Sequence, residues 1–275
     1  MAIHSYHNSH RTPRTFYKLD NRGNLKTFAP TIQGFVGVEL EVESPRIYPE
    51  TLSDKVDELM GNLATCERDG SLDEGFEIIT QPATPAAFMN KFKLDELCAL
   101  LDENGAKSHD TRTCGLHVHY SRAALGHTEQ ARDMVCAKIL VLMDKFTDEL
   151  TKFARRDWAN GRWAPKYSNF NADGEQSTKK LLDKYKPCKE SGDRYKALNL
   201  TNGATIEFRI FRGTLNPLAL RATVALVDTI VGYCKTHTTP EVQNCTWAGL
   251  VATCKYPELA VYCEHRGIGT PKYTF

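Results

Sequence analysis

Four short segments of this chain alternate apolar and charged residues with a period of two. In the first, Val36, Val38, Leu40 and Val42 face opposite to Glu39, Glu41 and Glu43. In the second, Phe76 and Ile78 flank Glu77; in the third, Leu116, Val118 and Tyr120 alternate with His117, His119 and Ser121. The fourth sets Ile206, Phe208 and Ile210 against Glu207 and Arg209, just after an Asn202-Gly203 turn that favours a hairpin with residues 196–200. Successive strand side chains point to opposite faces, so each segment offers an apolar side to helices and a charged side to something else. The arrangement that satisfies all four is an α+β fold, an antiparallel sheet with helices on one face and a polar face on the other.

Helical patterns fill the intervals. Residues 49–60 read as one helix; residues 85–104 read as another, with Thr84 as cap, Pro85 in the first turn and Gly105 as stop. A long helix is expected from Thr128 to about Phe153, one from Asn216-Pro217 through Cys234, and two more at Pro240 and Pro257. Residues 156–194 are rich in Trp, Tyr, Asn, Gly and Lys with little periodicity and read as a loop-rich segment. Residues 1–33 are a polar extension with a hairpin turning at residues 20–23; its His4, His7 and His10 read as a solvated tail more readily than as metal ligands. The expected organisation is this extension followed by one catalytic domain over residues 34–275.

Glu39, Glu41 and Glu43 lie on one side of a single strand, with Cβ atoms about 7 Å apart from one to the next. A solvated edge would screen such charges. Adding Glu77, His117, His119 and Glu207 in the same alternation favours a bound cation instead. Carboxylates with few imidazoles and no thiolate suit a hard divalent ion, magnesium or manganese, better than zinc. Arg209 and the following Arg212 would serve a polyphosphate beside such ions, although an internal Glu207–Arg209 ion pair explains that spacing equally well.

The rest of the composition excludes alternatives more than it assigns. With 35 Lys and Arg against 34 Asp and Glu, no bulk field favours nucleic acid or an anionic membrane. No stretch reads as roughly 20 uncharged apolar residues, and the N-terminus is not patterned as a signal peptide, so a cytoplasmic protein is expected. The nine cysteines include no C-x-x-C pair and are read as reduced.

Taken in order, Gly37–Glu41, Asp69–Thr80, Cys114–Ser121 and Thr205–Gly213 resemble the motifs of the glutamine synthetase-like carboxylate-amine ligases, most closely the amidoligases related to glutamate-cysteine ligases. The resemblance implies an ATP-dependent ligase that joins a carboxylate to an amine through an acyl phosphate, with two Mg2+ or Mn2+ ions. It places Glu41 with Glu77 at one ion and Glu39 with His117 and Glu207 at the other. His119, with Ser121 beside it, would approach the ATP phosphates, Arg209 and Arg212 would stabilise the phosphoryl group in flight, and the third carboxylate at the Glu41–Glu77 ion would be Glu67, Asp69 or Glu74. Asp69 or Glu67 would take the amine's proton. The partners implied are small-molecule or peptide carboxylates and amines; the aromatic loop at Trp158, Trp163 and Tyr167 would either select them or simply pin itself down. A phosphagen kinase-like phosphotransferase, a hydrolase using His117 and His119, and a thiol enzyme using Cys114 are the competing readings.

Overall fold

The computed structural model describes residues 3–4, 15–28, 34–159, 164–167, 170 and 177–269. The chain divides into two compact units, residues 1–119 with 212–220 and residues 120–211 with 221–275. Helices and antiparallel strands are mixed throughout, as the alternating pattern requires.

In the first unit, β1 (Phe16–Leu19) and β2 (Leu25–Phe28) form the expected hairpin, with Phe16 opposite Phe28. The Asp20 carboxylate closes its turn by accepting from the Arg22 and Asn24 amides, and Gly23 supplies the positive φ of 75°. The strands that carry the acidic residues follow: β3 (Val36–Glu43), helix α1 (Pro49–Met60), β4 (Ala64–Glu67) and β5 (Gly75–Thr80). Helix α2 (Pro85–Lys91) and α3 (Leu94–Glu103) precede β6 (Gly115–Ser121), which leaves the unit after His119. The hydrogen-bonded order within the unit is β4-β5-β3-β6. Val36, Val38, Leu40, Val42, Phe76, Ile78, Leu116 and Val118 are all buried, so the apolar half of each alternation lies in the core.

Two expectations change here. Residues 85–104 are two helices, not one, because Phe92 is fully buried against Phe88 and Tyr17 and the next residue, Lys93, turns left-handed at φ 49°. His4 is no solvated tail: its N–H donates to the Cys66 carbonyl at 3.2 Å, and its own carbonyl accepts from the Arg68 amide at 2.8 Å, beside β4. His7, His10 and Trp163 lie outside the described residues.

The second unit holds α4 (Glu129–Lys145), α5 (Thr147–Ala154), α6 (Thr178–Glu190), β7 (Leu198–Asn199), β8 (Thr205–Arg212) up to Phe211 and α7 (Pro217–Thr236) from Arg221 onward. Helices α8 (Thr239–Asn244), α9 (Trp247–Ala252) and α10 (Pro257–His265) complete it. The helix expected from Thr128 is broken at Phe146, which is buried edge-on against Trp247 and closes α4 as it opens α5. Within residues 156–194 the 13-residue α6 is capped by Ser177, a helix whose sequence is too Lys-rich to show a strong apolar stripe. Helix α7 is long and apolar enough to cross a membrane by length and composition, but 67% of that window is buried inside the protein and it carries Arg221 and Asp228, which suits a core helix.

Candidate functional site

Register decides which carboxylates meet. In the antiparallel ladders Glu41 stands opposite Glu77 on β5, and Glu77 stands opposite Glu67 on β4, so three glutamates form one row across β3, β5 and β4. All three are buried. Directly opposed side chains in an antiparallel pair are only about 5 Å apart at Cβ, and like charges there destabilise the sheet. Burial is the first cause that drives the Glu77 carboxyl upward, and the charges of Glu39, Asp69, Glu41 and Glu67 push it further, to about 10.

One residue pair along β3, Glu39 meets both imidazoles of β6. His117 Nδ1 lies 3.3 Å from Glu39 Oε2, and His119 Nε2 lies 2.9 Å from Glu39 Oε1. The far side of the same His117 ring, Nε2, is 3.9 Å from Glu41 Oε1, so one imidazole spans the two glutamates. Burial alone would raise the Glu39 carboxyl, but the charge of His119 and the contacts with His117 and His119 outweigh it and hold the group well below its usual range. Glu41 Oε2 also accepts from the Gly115 amide. A Cβ on Gly115 would stand 3.0 Å from His117 Nε2 and 3.4 Å from Glu41 Oε2, so the glycine leaves room for that approach.

Glu43 belongs to the same strand face but has another occupation. Its Oε1 accepts from the Asp73 amide (3.0 Å) and Thr113 Oγ1 (2.9 Å), and its Oε2 accepts from the Glu74 amide (2.8 Å). Three donors satisfy the carboxylate without a metal ion. Of the three residues competing to join Glu41 and Glu77, Glu67 is buried and in register, Asp69 is half-buried and near enough to act electrostatically on Glu77, and Glu74 is exposed. Arg212 is half-buried at the end of β8 in this first unit; the next residue, Gly213, packs against Ser108, whose hydroxyl donates to the Glu41 carbonyl at 2.8 Å.

In the second unit the β7–β8 register puts Asn199 opposite Glu207. Asn199 Nδ2 donates to Glu207 Oε2 at 2.7 Å and the Arg209 guanidinium donates to Glu207 Oε1, an internal ion pair of the kind that was one of two expectations for these residues. Asn199 Oδ1 in turn accepts from the Thr201 amide and hydroxyl. Asn199 was not singled out from the sequence; once the 196–200 hairpin is drawn, the cross-strand pairing identifies it. Ser121 is half-buried at the end of β6, and its neighbour Arg122 grips the β7–β8 turn through the Leu200, Asn202 and Thr205 carbonyls.

Cys114 is buried, and desolvation foremost pushes its thiol up to about 11. A nucleophilic cysteine needs the opposite shift, which disfavours the thiol-enzyme reading. All nine cysteines are free.

Residues 66–231 match the family described as "Putative amidoligase enzyme". The chain belongs to that family. The matched span contains Glu67, Asp69, Glu77, His117, His119, Glu207, Arg209 and Arg212, while Glu39 and Glu41 lie before it. No curated protein matches this amidoligase-family chain. Among solved structures it is similar to "Apo GmaS without ligand", at 12% identity and a TM-score of 0.43, over 86% of this chain and 65% of that one. It is also similar to "Crystal structure of the complex between Prokaryotic Ubiquitin-like Protein Pup and its Ligase PafA", at 9% identity and a TM-score of 0.38, over 86% and 57%. The chain thus spans less than two thirds of the length of either structure.

Proposed function

We propose that this protein is an ATP-dependent carboxylate-amine ligase whose first unit holds a divalent-cation site in the Glu41–Glu77–Glu67 row. The observation that carries the reading is that row: three buried glutamates in cross-strand register, one of them with its carboxyl raised to about 10. Nothing in the packing of a sheet calls for buried like charges, and Mg2+ or Mn2+ is the partner that an all-oxygen donor set suits. Glu39 and His117 are proposed as donors to a second ion. When bound, the ions would neutralise phosphate oxygens and the developing charge of phosphoryl transfer.

The chain's own residues then divide the work. His119 is assigned to the nucleotide phosphates and Arg212 to the transferred phosphoryl group. The substrate carboxylate oxygen attacks the γ-phosphorus, ADP leaves, and an acyl phosphate forms. An amine nitrogen then attacks the acyl carbon, the bond to the phosphate oxygen breaks, inorganic phosphate departs, and the amine's proton passes to Asp69. Family membership supports the carboxylate-amine class. Small-molecule and peptide substrates both remain within that class, and a cytoplasmic site of action fits ATP use.

Incubation with ATP, Mg2+ and pools of carboxylates and amines, read by mass spectrometry, tests the reading. A product lighter than its two precursors by one water, formed with ADP and lost in Glu77→Gln, is expected. ADP formation that needs a guanidino acceptor and no carboxylate would point to the phosphotransferase instead, and product release without ATP to a hydrolase.

A further inference from the structure

The third glutamate of β3 has no assigned part in the reaction, yet it is among the most completely bonded carboxylates described in the first unit. Glu43 joins two loops to the acidic strand. Its side chain holds the Asp73 and Glu74 amides and Thr113 Oγ1. Its backbone pairs with Lys107 through two hydrogen bonds of 2.8 and 2.9 Å, and the Ser44 amide donates to the Glu74 carbonyl at 2.8 Å. The loop closes tightly on the strand: a Cβ on Gly75 would lie 2.1 Å from the Val42 carbonyl oxygen and 3.0 Å from Glu43 Oε2. Asp69 begins this loop, and its carboxylate organises the first turn by accepting from the Ser71 amide at 2.8 Å.

We infer that Glu43 is a positioning residue that holds the 69–75 loop in place, so that Asp69 is presented to the incoming amine while Glu43 touches no substrate. This rests on the ligase reading above for the role of Asp69, and on hydrogen-bond geometry alone for the role of Glu43. Two carboxylate oxygens accept from three donors; a glutamine has one acceptor oxygen and turns an N–H2 toward a backbone N–H or the Thr113 hydroxyl. Glu43→Gln therefore loosens the loop with little change in side-chain volume.

The test compares wild type, Glu43→Gln, Asp69→Asn and the double variant, with ATP, Mg2+ and glutarate as carboxylate, and either methylamine or hydroxylamine as acceptor. Methylamine is protonated near neutral pH and must lose one proton before it attacks and a second as the amide forms; hydroxylamine is already neutral and loses only the second. Misplacing the proton acceptor should cut methylamide formation by Glu43→Gln about tenfold or more and hydroxamate formation by less than about threefold. The double variant should be no slower than Asp69→Asn alone. Equal losses with both amines, or losses that multiply in the double variant, would overturn the inference and leave Glu43 a purely structural residue. A wild type silent with both amines would count against the ligase reading. Hydrogen exchange then decides the positioning claim by itself: Glu43→Gln should speed exchange of the Asp73 and Glu74 amides about tenfold while β5 stays protected, and unchanged exchange would refute it.

Discussion

Glu77 and Glu207 are the same residue type, each on a strand and each 3% exposed, yet they face opposite situations. Glu207 has Arg209 on one carboxylate oxygen and Asn199 on the other. Glu77 has Glu41 on one neighbouring strand and Glu67 on the other. The first is a buried charge already answered by the protein. The second is a buried charge whose neighbours make it worse, and it is tolerated by keeping its proton or by taking a cation. On the proposed reading, the acidic row of the first unit has the stronger need for a cation, because Glu207 already has partners in the protein.

Breaking the acidic row should have the largest effect. Glu77→Ala or Glu41→Ala is expected to weaken Mn2+ binding about 100-fold, measured by titration calorimetry, while each variant stays folded because a buried carboxyl and its desolvation cost are removed. The compensated glutamate should behave in the opposite sense. Arg209→Ala leaves Glu207 without its cation and should cost about 2 kcal/mol in urea unfolding, with little change in Mn2+ binding by the Glu41–Glu77–Glu67 row.

A pH series sharpens the contrast. The Glu77 carboxyl is raised from an ordinary 4.5 to about 10, so between those values the folded state keeps a proton that the unfolded chain has lost. Stability of the metal-free protein should therefore fall as pH rises through that window, and Glu77→Gln should flatten the slope. Thermal melts at a series of pH values check this; an unchanged slope would mean that another group carries it. The smallest effect is expected from Gly115→Ala. Its methyl would press His117 Nε2 at 3.0 Å, a contact that a slight ring shift can relieve, so a loss of a few-fold in Mn2+ affinity is expected.

Much of this is legible in the sequence. Alternation with period two located β3, β5, β6 and β8 and put the charged residues of each strand opposite its apolar ones, because burying the apolar half leaves no freedom in the other. Strand β4 was not legible: Ala64, Thr65 and Cys66 carry too weak an alternation over four residues. Since β4 supplies Glu67, its place opposite Glu77 was equally hidden. The breaks at Lys93 and Phe146 were hidden for a different reason. Both interrupt patterns that are locally helical, and each follows from the burial of a phenylalanine against a partner distant in sequence. The role of Glu43 was hidden as well, since spacing groups it with Glu39 and Glu41 and only its three donors set it apart.

The most direct measurement is the number of protons released when Mn2+ binds, obtained by calorimetry at about pH 7.5 in buffers of different ionisation enthalpy. A cation entering the acidic row must displace the proton held by Glu77, so about one proton per ion should be released, and Glu77→Gln should abolish that release. Binding with no proton released, or no binding at all, would contradict the account.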